Sequence, residues 1–225
     1  GSLLAQNQAR SYSLVEVPAP SLRDNLIGTS EVQKIGVYLP PSYSSSDQMY
    51  PVVYFLNGYT VEIGEYPKTE AFNRYMKYNE NHEFILVELS GHNLFEGSMY
   101  ANSPVLGNWE DFVVRDVINY VDRHPEVFSV AYAMSSAVFA NDDLLDGMFS
   151  NDSVLAQVQA LSDKMEKVSD EDFATSLQQE LKSYDRNVKG MVGILAFGSA
   201  FSPDSSKPLK IAFPFTMNAD GTFAK

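Results

Sequence analysis

Three short, unbroken apolar runs mark the first two thirds of the chain: residues 51–56 (PVVYFL), 84–89 (FILVEL) and 128–134 (FSVAYAM). Each is rich in β-branched and aromatic residues. Asn57-Gly58 stops the first and Ser90-Gly91 the second. Such runs predict strands buried on both faces of a parallel sheet. Residues 32–39 (VQKIGVYL) predict another strand, which runs into Pro40-Pro41-Ser42-Tyr43 and a Ser44-Ser45-Ser46-Asp47 turn. Residues 69–80 predict a helix between the first two buried runs. A second helix is predicted from Trp109 to about Arg123, with Asn108 as its N-cap. Trp109, Phe112, Val113, Val117, Tyr120 and Val121 share one face of it at helical spacing. Pro125 disfavours helix at His124 and ends it. Strands alternating with helices predict the α/β class: a mostly parallel sheet flanked by helices.

The pattern changes after Asn141. Residues 152–167 and 170–185 predict two amphipathic helices. Ser169 and Asp172 form a start resembling a capping box, and Phe173, Leu177, Leu181 and Tyr184 line one face. These helices are expected to form a cap over the sheet. Residues 190–215 are punctuated by Gly, Ser and Pro and are expected to be irregular, ending in the apolar run Ile211-Ala212-Phe213. The expected organisation is an N-terminal arm over 1–30, an α/β core over 31–140, and a helical cap with a C-terminal segment over 141–225.

Composition narrows the partners. The 225 residues are 44% hydrophobic, enough for one sizeable core. The formal net charge is −13 with only 16 Lys and Arg, which leaves no basic footprint for a phosphate backbone. Nucleic acid is therefore not an expected partner, and a neutral or cationic partner is favoured over an anionic membrane. There is no cysteine, so disulfides, thiolate catalysis and zinc–thiolate sites are excluded. No apolar run is long enough for insertion across a bilayer. Leu3-Leu4-Ala5 reads either as the tail of a signal peptide, implying a secreted or periplasmic protein, or as an ordinary N-terminus of a cytoplasmic one.

Three stretches, VYLPPSYSSSDQMYPVVYFLNGY (37–59), GHNLFEGSMYANSPVLGNWEDFVVRDVINYVD (91–122) and HPEVFSVAYAMSS (124–136), together resemble the esterase family of α/β-hydrolases. That family includes feruloyl esterases, esterase D-type enzymes and mycolyltransferase antigens. The resemblance implies an α/β-hydrolase-like core and a serine carboxylic-ester hydrolase acting on short acyl or aryl esters through an acyl-enzyme, with no cofactor and no metal. In the family, the turn after the first buried strand donates a backbone N–H to the oxyanion hole. Here that turn is Asn57-Gly58-Tyr59. Gly58 would let the backbone approach a substrate oxygen, and the Tyr59 N–H would be the donor.

The chain departs from the family at one junction. Tyr120-Val121-Asp122-Arg123 runs directly into His124-Pro125-Glu126-Val127-Phe128. The family places a strand, a Gly-x-Ser-x-Gly elbow and a helix between these segments, a unit on the order of thirty residues. No Gly-x-Ser-x-Gly occurs in the chain, and its three histidines are His82, His92 and His124. The family order of Ser, then acid, then His cannot be met by a serine beyond His124. Ser135, in Ala133-Met134-Ser135-Ser136-Ala137, is the fallback nucleophile, although the alignment of His124 to Phe128 places it downstream of the lost elbow. His92 could face the site, as could Trp109, which reads equally as core. His82 reads as a surface turn residue, and His124 as a group at a helix C-terminus. Asp142-Asp143 and Asp170-Glu171-Asp172 lack the spacing of a calcium loop and read as helix starts. The expectation is thus an esterase by descent that is catalytically incomplete. The alternatives are a non-catalytic relative that binds a ligand or a protein, and an enzyme pairing Ser135 with His92. Losing a central strand also predicts a rearranged sheet order, or a homo-oligomer that covers the bared strand edge.

Overall fold

The computed structural model describes residues 12–78, 82–124, 130–134, 149–183 and 189–224. Its main sheet has five strands: β1 (Tyr12–Pro18), β2 (Val32–Tyr38), β3 (Pro51–Leu56), β4 (Ile85–Leu89) and β7 (Val130–Met134). They lie in the order β1-β2-β4-β3-β7. The short hairpins β5–β6 (Asn102–Ser103, Gly107–Asn108) and β8–β9 (Thr216–Met217, Phe223–Ala224) stand apart.

The three buried runs do form neighbouring parallel strands, with Val52 opposite both Ile85 and Ala131. The sheet as a whole is mixed rather than mostly parallel, because β2 runs antiparallel to both β1 and β4. β1 falls in the stretch expected to be a plain arm; it adds an edge strand in which Ser13, Leu14 and Glu16 stay exposed. Only residues 123–129 separate the preceding helix from β7, and β7 lies directly against β3, with Phe55 opposite Met134.

Alternation along the strands splits the core in two. Val52, Tyr54, Ile85, Val87 and Leu89 face one side, where Trp109, Phe112, Val117 and Val121 pack on them. Leu86 and Tyr38 face the other, against Phe72 and Met76 of α1 (Glu70–Tyr78). Helices therefore cover both faces. The second helix, α2, is continuous but not uniform: Trp109–Asp111, a π-helical stretch Phe112–Val117, then Ile118–Asp122. The wider π turn lets Phe112 and Val117, five residues apart, both reach full burial. Asn108 makes no side-chain cap. Asn102 Oδ1 from the β5–β6 hairpin instead accepts the Asp111 N–H, at 3.1 Å.

The C-terminal region forms α3 (Asp152–Met165), α4 (Phe173–Ser183) and α5 (Lys189–Phe201). The Ser169–Asp172 box is formed: Ser169 Oγ donates to Asp172 Oδ2 at 2.9 Å and accepts the Asp172 N–H at 3.2 Å. The stretch 190–215 was expected to be irregular, yet its first part is the α5 helix. Its glycines serve packing: a Cβ on Gly198 would lie 2.6 Å from Ile211. Burial of Met191, Ile194 and Leu195 offsets the weak helix propensity of those glycines. Leu155, Val158, Leu161 and Leu177 share one apolar cluster with the sheet. Among the described residues no helix is long and apolar enough to cross a membrane.

Because α3 to α5 and the sheet share that cluster, one cooperative unfolding transition is expected. Fluorescence of Trp109 and far-UV circular dichroism should coincide in urea. Leu161→Ala is expected to lower the unfolding free energy by about 2–5 kcal/mol, whereas Val114→Ala, on an exposed position, should change it by less than about 0.5 kcal/mol.

Candidate functional site

Two loops meet at the carboxyl ends of β3 and β4, the end of an open α/β sheet where ligands usually bind. Residues 57–66 follow β3 and residues 90–101 follow β4. Tyr100 joins them. Its hydroxyl accepts the Gly91 N–H at 3.0 Å and lies 3.1 and 3.0 Å from the carbonyl oxygens of Asn57 and Leu89, to which it can donate. The Asn57 N–H donates to the same Leu89 oxygen at 2.8 Å.

Residues 58–61 make a tight turn closed by Val61 N–H on Gly58 O at 3.2 Å. Its third residue, Thr60, has φ of +69°, a position where Gly or Asn is the usual choice. A β-branched residue there is strained. Thr60 is held by its own N–H on Glu96 O at 3.0 Å. Glu96, Met99 and Tyr100 in the facing loop also have positive φ. Strain persists where surroundings over-determine it, and it concentrates at functional sites.

Tyr59 is anchored between the loops. Its hydroxyl donates to Phe95 O at 2.9 Å, and its ring lies over Gly97, where a Cβ would come within 2.3 Å of Cδ2. The Tyr59 N–H has no hydrogen-bond partner among the described residues. Gly58 is less constrained than the sequence suggested. Its φ is not positive, and a Cβ would only touch Tyr66 Oη at 3.4 Å.

Beneath the turn, Glu88 is fully buried on β4. Its Oε1 accepts from Asn57 Nδ2 at 2.9 Å and from the Gly64 N–H at 3.1 Å, and its Oε2 accepts from the Tyr12 hydroxyl at 3.2 Å. Asn57 Nδ2 also donates to Glu62 O at 3.2 Å. No reading of the sequence singled out Glu88; its signal was an acidic residue inside the otherwise apolar run FILVEL.

The other sequence candidates scatter. His92 is at this end of the sheet. Its Nε2 lies 3.9 Å from Glu62 Oε1, and its backbone N–H donates to Ser90 Oγ at 3.2 Å. His124 is beyond the end of α2, with Nδ1 2.6 Å from Tyr120 O, and His82 is an exposed residue ahead of β4. Both precede their strands and so belong to the opposite end of the sheet. Trp109, considered as a pocket residue, is fully buried in the core and its indole N–H donates to Leu106 O at 3.0 Å. Ser135 and Asp142-Asp143 lie outside the described residues. Asp170 pairs with Lys210 at 2.6 Å and Asp172 with Ser169. Among the described residues no group of three or more His, Asp or Glu could hold a metal ion.

The electrostatics of the two loops run against an anion. They carry Glu62, Glu65 and Glu96 and neither Lys nor Arg. Burial, then the charge of Glu96, pushes the Tyr59 phenol above its ordinary range. Burial likewise raises Tyr100, and burial first, then Glu88, raises Tyr12 and Tyr38.

No protein-family model and no curated protein sequence matches the chain. Solved structures of hydrolases are similar to it at low identity. An S-formylglutathione hydrolase from Agrobacterium tumefaciens shares 12% identity at a TM-score of 0.43 over 54% of this chain and 47% of that one. The match thus spans less than half of that protein. A ferulic acid esterase shares 17% at 0.39, over 79% of this chain and 86% of its own. An S-formylglutathione hydrolase from Staphylococcus aureus shares 16% at 0.38, over 83% and 74%. Likeness at this level decides neither activity nor substrate.

Gly97→Ala is expected to lower stability by about 1–3 kcal/mol through displacement of the Tyr59 ring. Gly58→Ala should change it by less than about 1 kcal/mol; denaturant titration distinguishes the two. A phenol raised in the folded state binds protons that the unfolded chain has released. Stability should therefore be full below about pH 10, the ordinary tyrosine value, and decline as pH rises above it. Alkaline melting curves measure this.

Proposed function

We propose that this chain is an esterase-type α/β-hydrolase relative that has kept the carbonyl-binding turn and lost hydrolysis. Its ancestors would have cleaved short acyl or aryl esters through an acyl-enzyme. The present chain would bind a neutral, carbonyl-bearing ligand, or one with a cationic group, without turning it over. The resemblance of residues 37–59, 91–122 and 124–136 to that family motivates the descent.

The observation that carries the loss of activity is the ring of His92. Among the described residues it is the only histidine at the carboxyl end of the parallel strands, and the side chain its ring meets there is a glutamate, at 3.9 Å. Ester hydrolysis needs a nucleophile within reach of such a base. It also needs donors placed where negative charge develops. The Tyr59 N–H is one donor, but Glu62, Glu65 and Glu96 in the same two loops oppose an oxyanion.

A second reading has a specific support. His92 has an acidic neighbour, and β7 ends at Met134 beside Phe55, at the same end of the sheet. An enzyme using Ser135 with His92 would need that arrangement.

Hydrolysis of p-nitrophenyl butyrate separates the readings. The proposal expects no turnover above the buffer rate in the native chain. Turnover that vanishes in both Ser135→Ala and His92→Ala would overturn it and establish the second reading.

A further inference from the structure

Glu88 does something the fold alone does not need. A carboxylate removed from water must be met by hydrogen-bond donors, and a well-packed apolar residue on β4 would avoid that demand. The three donors it uses are not neighbours in sequence: Tyr12 on β1, Asn57 at the start of the turn and Gly64 beyond it. One oxygen, Oε1, accepts from both Asn57 and Gly64. It therefore closes the segment 57–64 into a loop with Tyr59 and the strained Thr60 inside. Space for the carboxylate is provided on β2. Gly36 stands opposite Glu88, and a Cβ there would come within 2.8 Å of Oε2 and 2.6 Å of the Tyr12 ring.

We infer that Glu88 is the positioning residue of the candidate site: its carboxylate clamps both ends of the 57–64 turn and so fixes the direction of the Tyr59 N–H. Its effect on a ligand rests on the reading of that N–H as the carbonyl-binding donor; the clamp itself does not. Without an acceptor at Oε1, the Gly64 N–H loses its bond and Asn57 Nδ2 keeps only Glu62 O, so the bonds from Thr60 to Glu96 and across the turn must hold the left-handed Thr60 without that support. The turn then no longer presents the Tyr59 N–H in one direction.

The test compares Glu88→Gln with Glu88→Ala by amide hydrogen exchange and NMR of the full chain. Glutamine keeps an acceptor oxygen for Asn57 and Gly64 and can donate to the Tyr12 hydroxyl. In Glu88→Ala the Gly64 amide is expected to exchange about a hundredfold faster. Thr60 carbon shifts should leave the left-handed range, while Ile35 and Val87 amides in the strands keep their protection. Glu88→Gln should restore the slow exchange and the Thr60 shifts. If alanine prevents folding, Glu88→Met, of similar length and without an acceptor, takes its place.

Unchanged Gly64 exchange in the acceptor-free variant would overturn the inference. So would acceleration of the strand amides by the same factor, the mark of a purely global role. Methyl butyrate titrated against the Tyr59 amide supplies the ligand arm. A shift in the native chain and in Glu88→Gln, lost in Glu88→Ala, is expected. Absence of a shift in the native chain overturns the carbonyl-binding reading and leaves the exchange comparison to decide the clamp.

Discussion

A carboxyl group removed from water has to be satisfied by hydrogen-bond partners, and at Glu88 that demand organises the end of the sheet. The residues that answer it come from β1, from the turn after β3 and from the loop leading toward α1. Tyr12 and Tyr38 pack beside it as a tilted pair, with ring centroids 4.4 Å apart. The two loops around Tyr59 are built on that base, and Tyr100 ties their strands together from above. The strained residues Thr60 and Glu96 are tolerable because hydrogen bonds from both loops leave them little freedom.

The site so formed holds a free backbone donor within an acidic rim. Those two features pull in opposite directions for catalysis. A donor aimed at a carbonyl oxygen favours binding, while carboxylates nearby penalise the negative charge that must develop during acyl transfer. The same combination suits a neutral group that accepts one hydrogen bond, or a molecule that brings a positive charge to the rim.

Much of the fold was legible because burial leaves local marks. The runs at 51–56, 84–89 and 128–134 became β3, β4 and β7, and the helical faces near 69–80, 109–123, 152–167 and 170–185 became helices. What escaped depends on distant partners. β1 is an edge strand with an exposed Leu14, so its apolar pattern is weak. The glycines of α5 read as loop punctuation, yet they admit Val154 and Ile211 at close range. Strand direction is a property of pairing, which is why β2 could be recognised as a strand but not as antiparallel. At the site, Asn57-Gly58-Tyr59 stood out through the family resemblance; its position after a strand alone reads as an ordinary turn. Glu88, Gly97 and Tyr100 did not, because each acts on residues tens of positions away.

The placement of β3 between β4 and β7 governs the order in which the molecule can be assembled. As the chain is synthesised, residues 51–56 emerge long before either neighbour exists, and the second side of that strand stays open until residue 134 has been made. Non-local parallel pairing is slow to form. An apolar interior strand therefore waits with bare edges while the chain is made, and it is a segment that a chaperone, or another nascent copy, would meet.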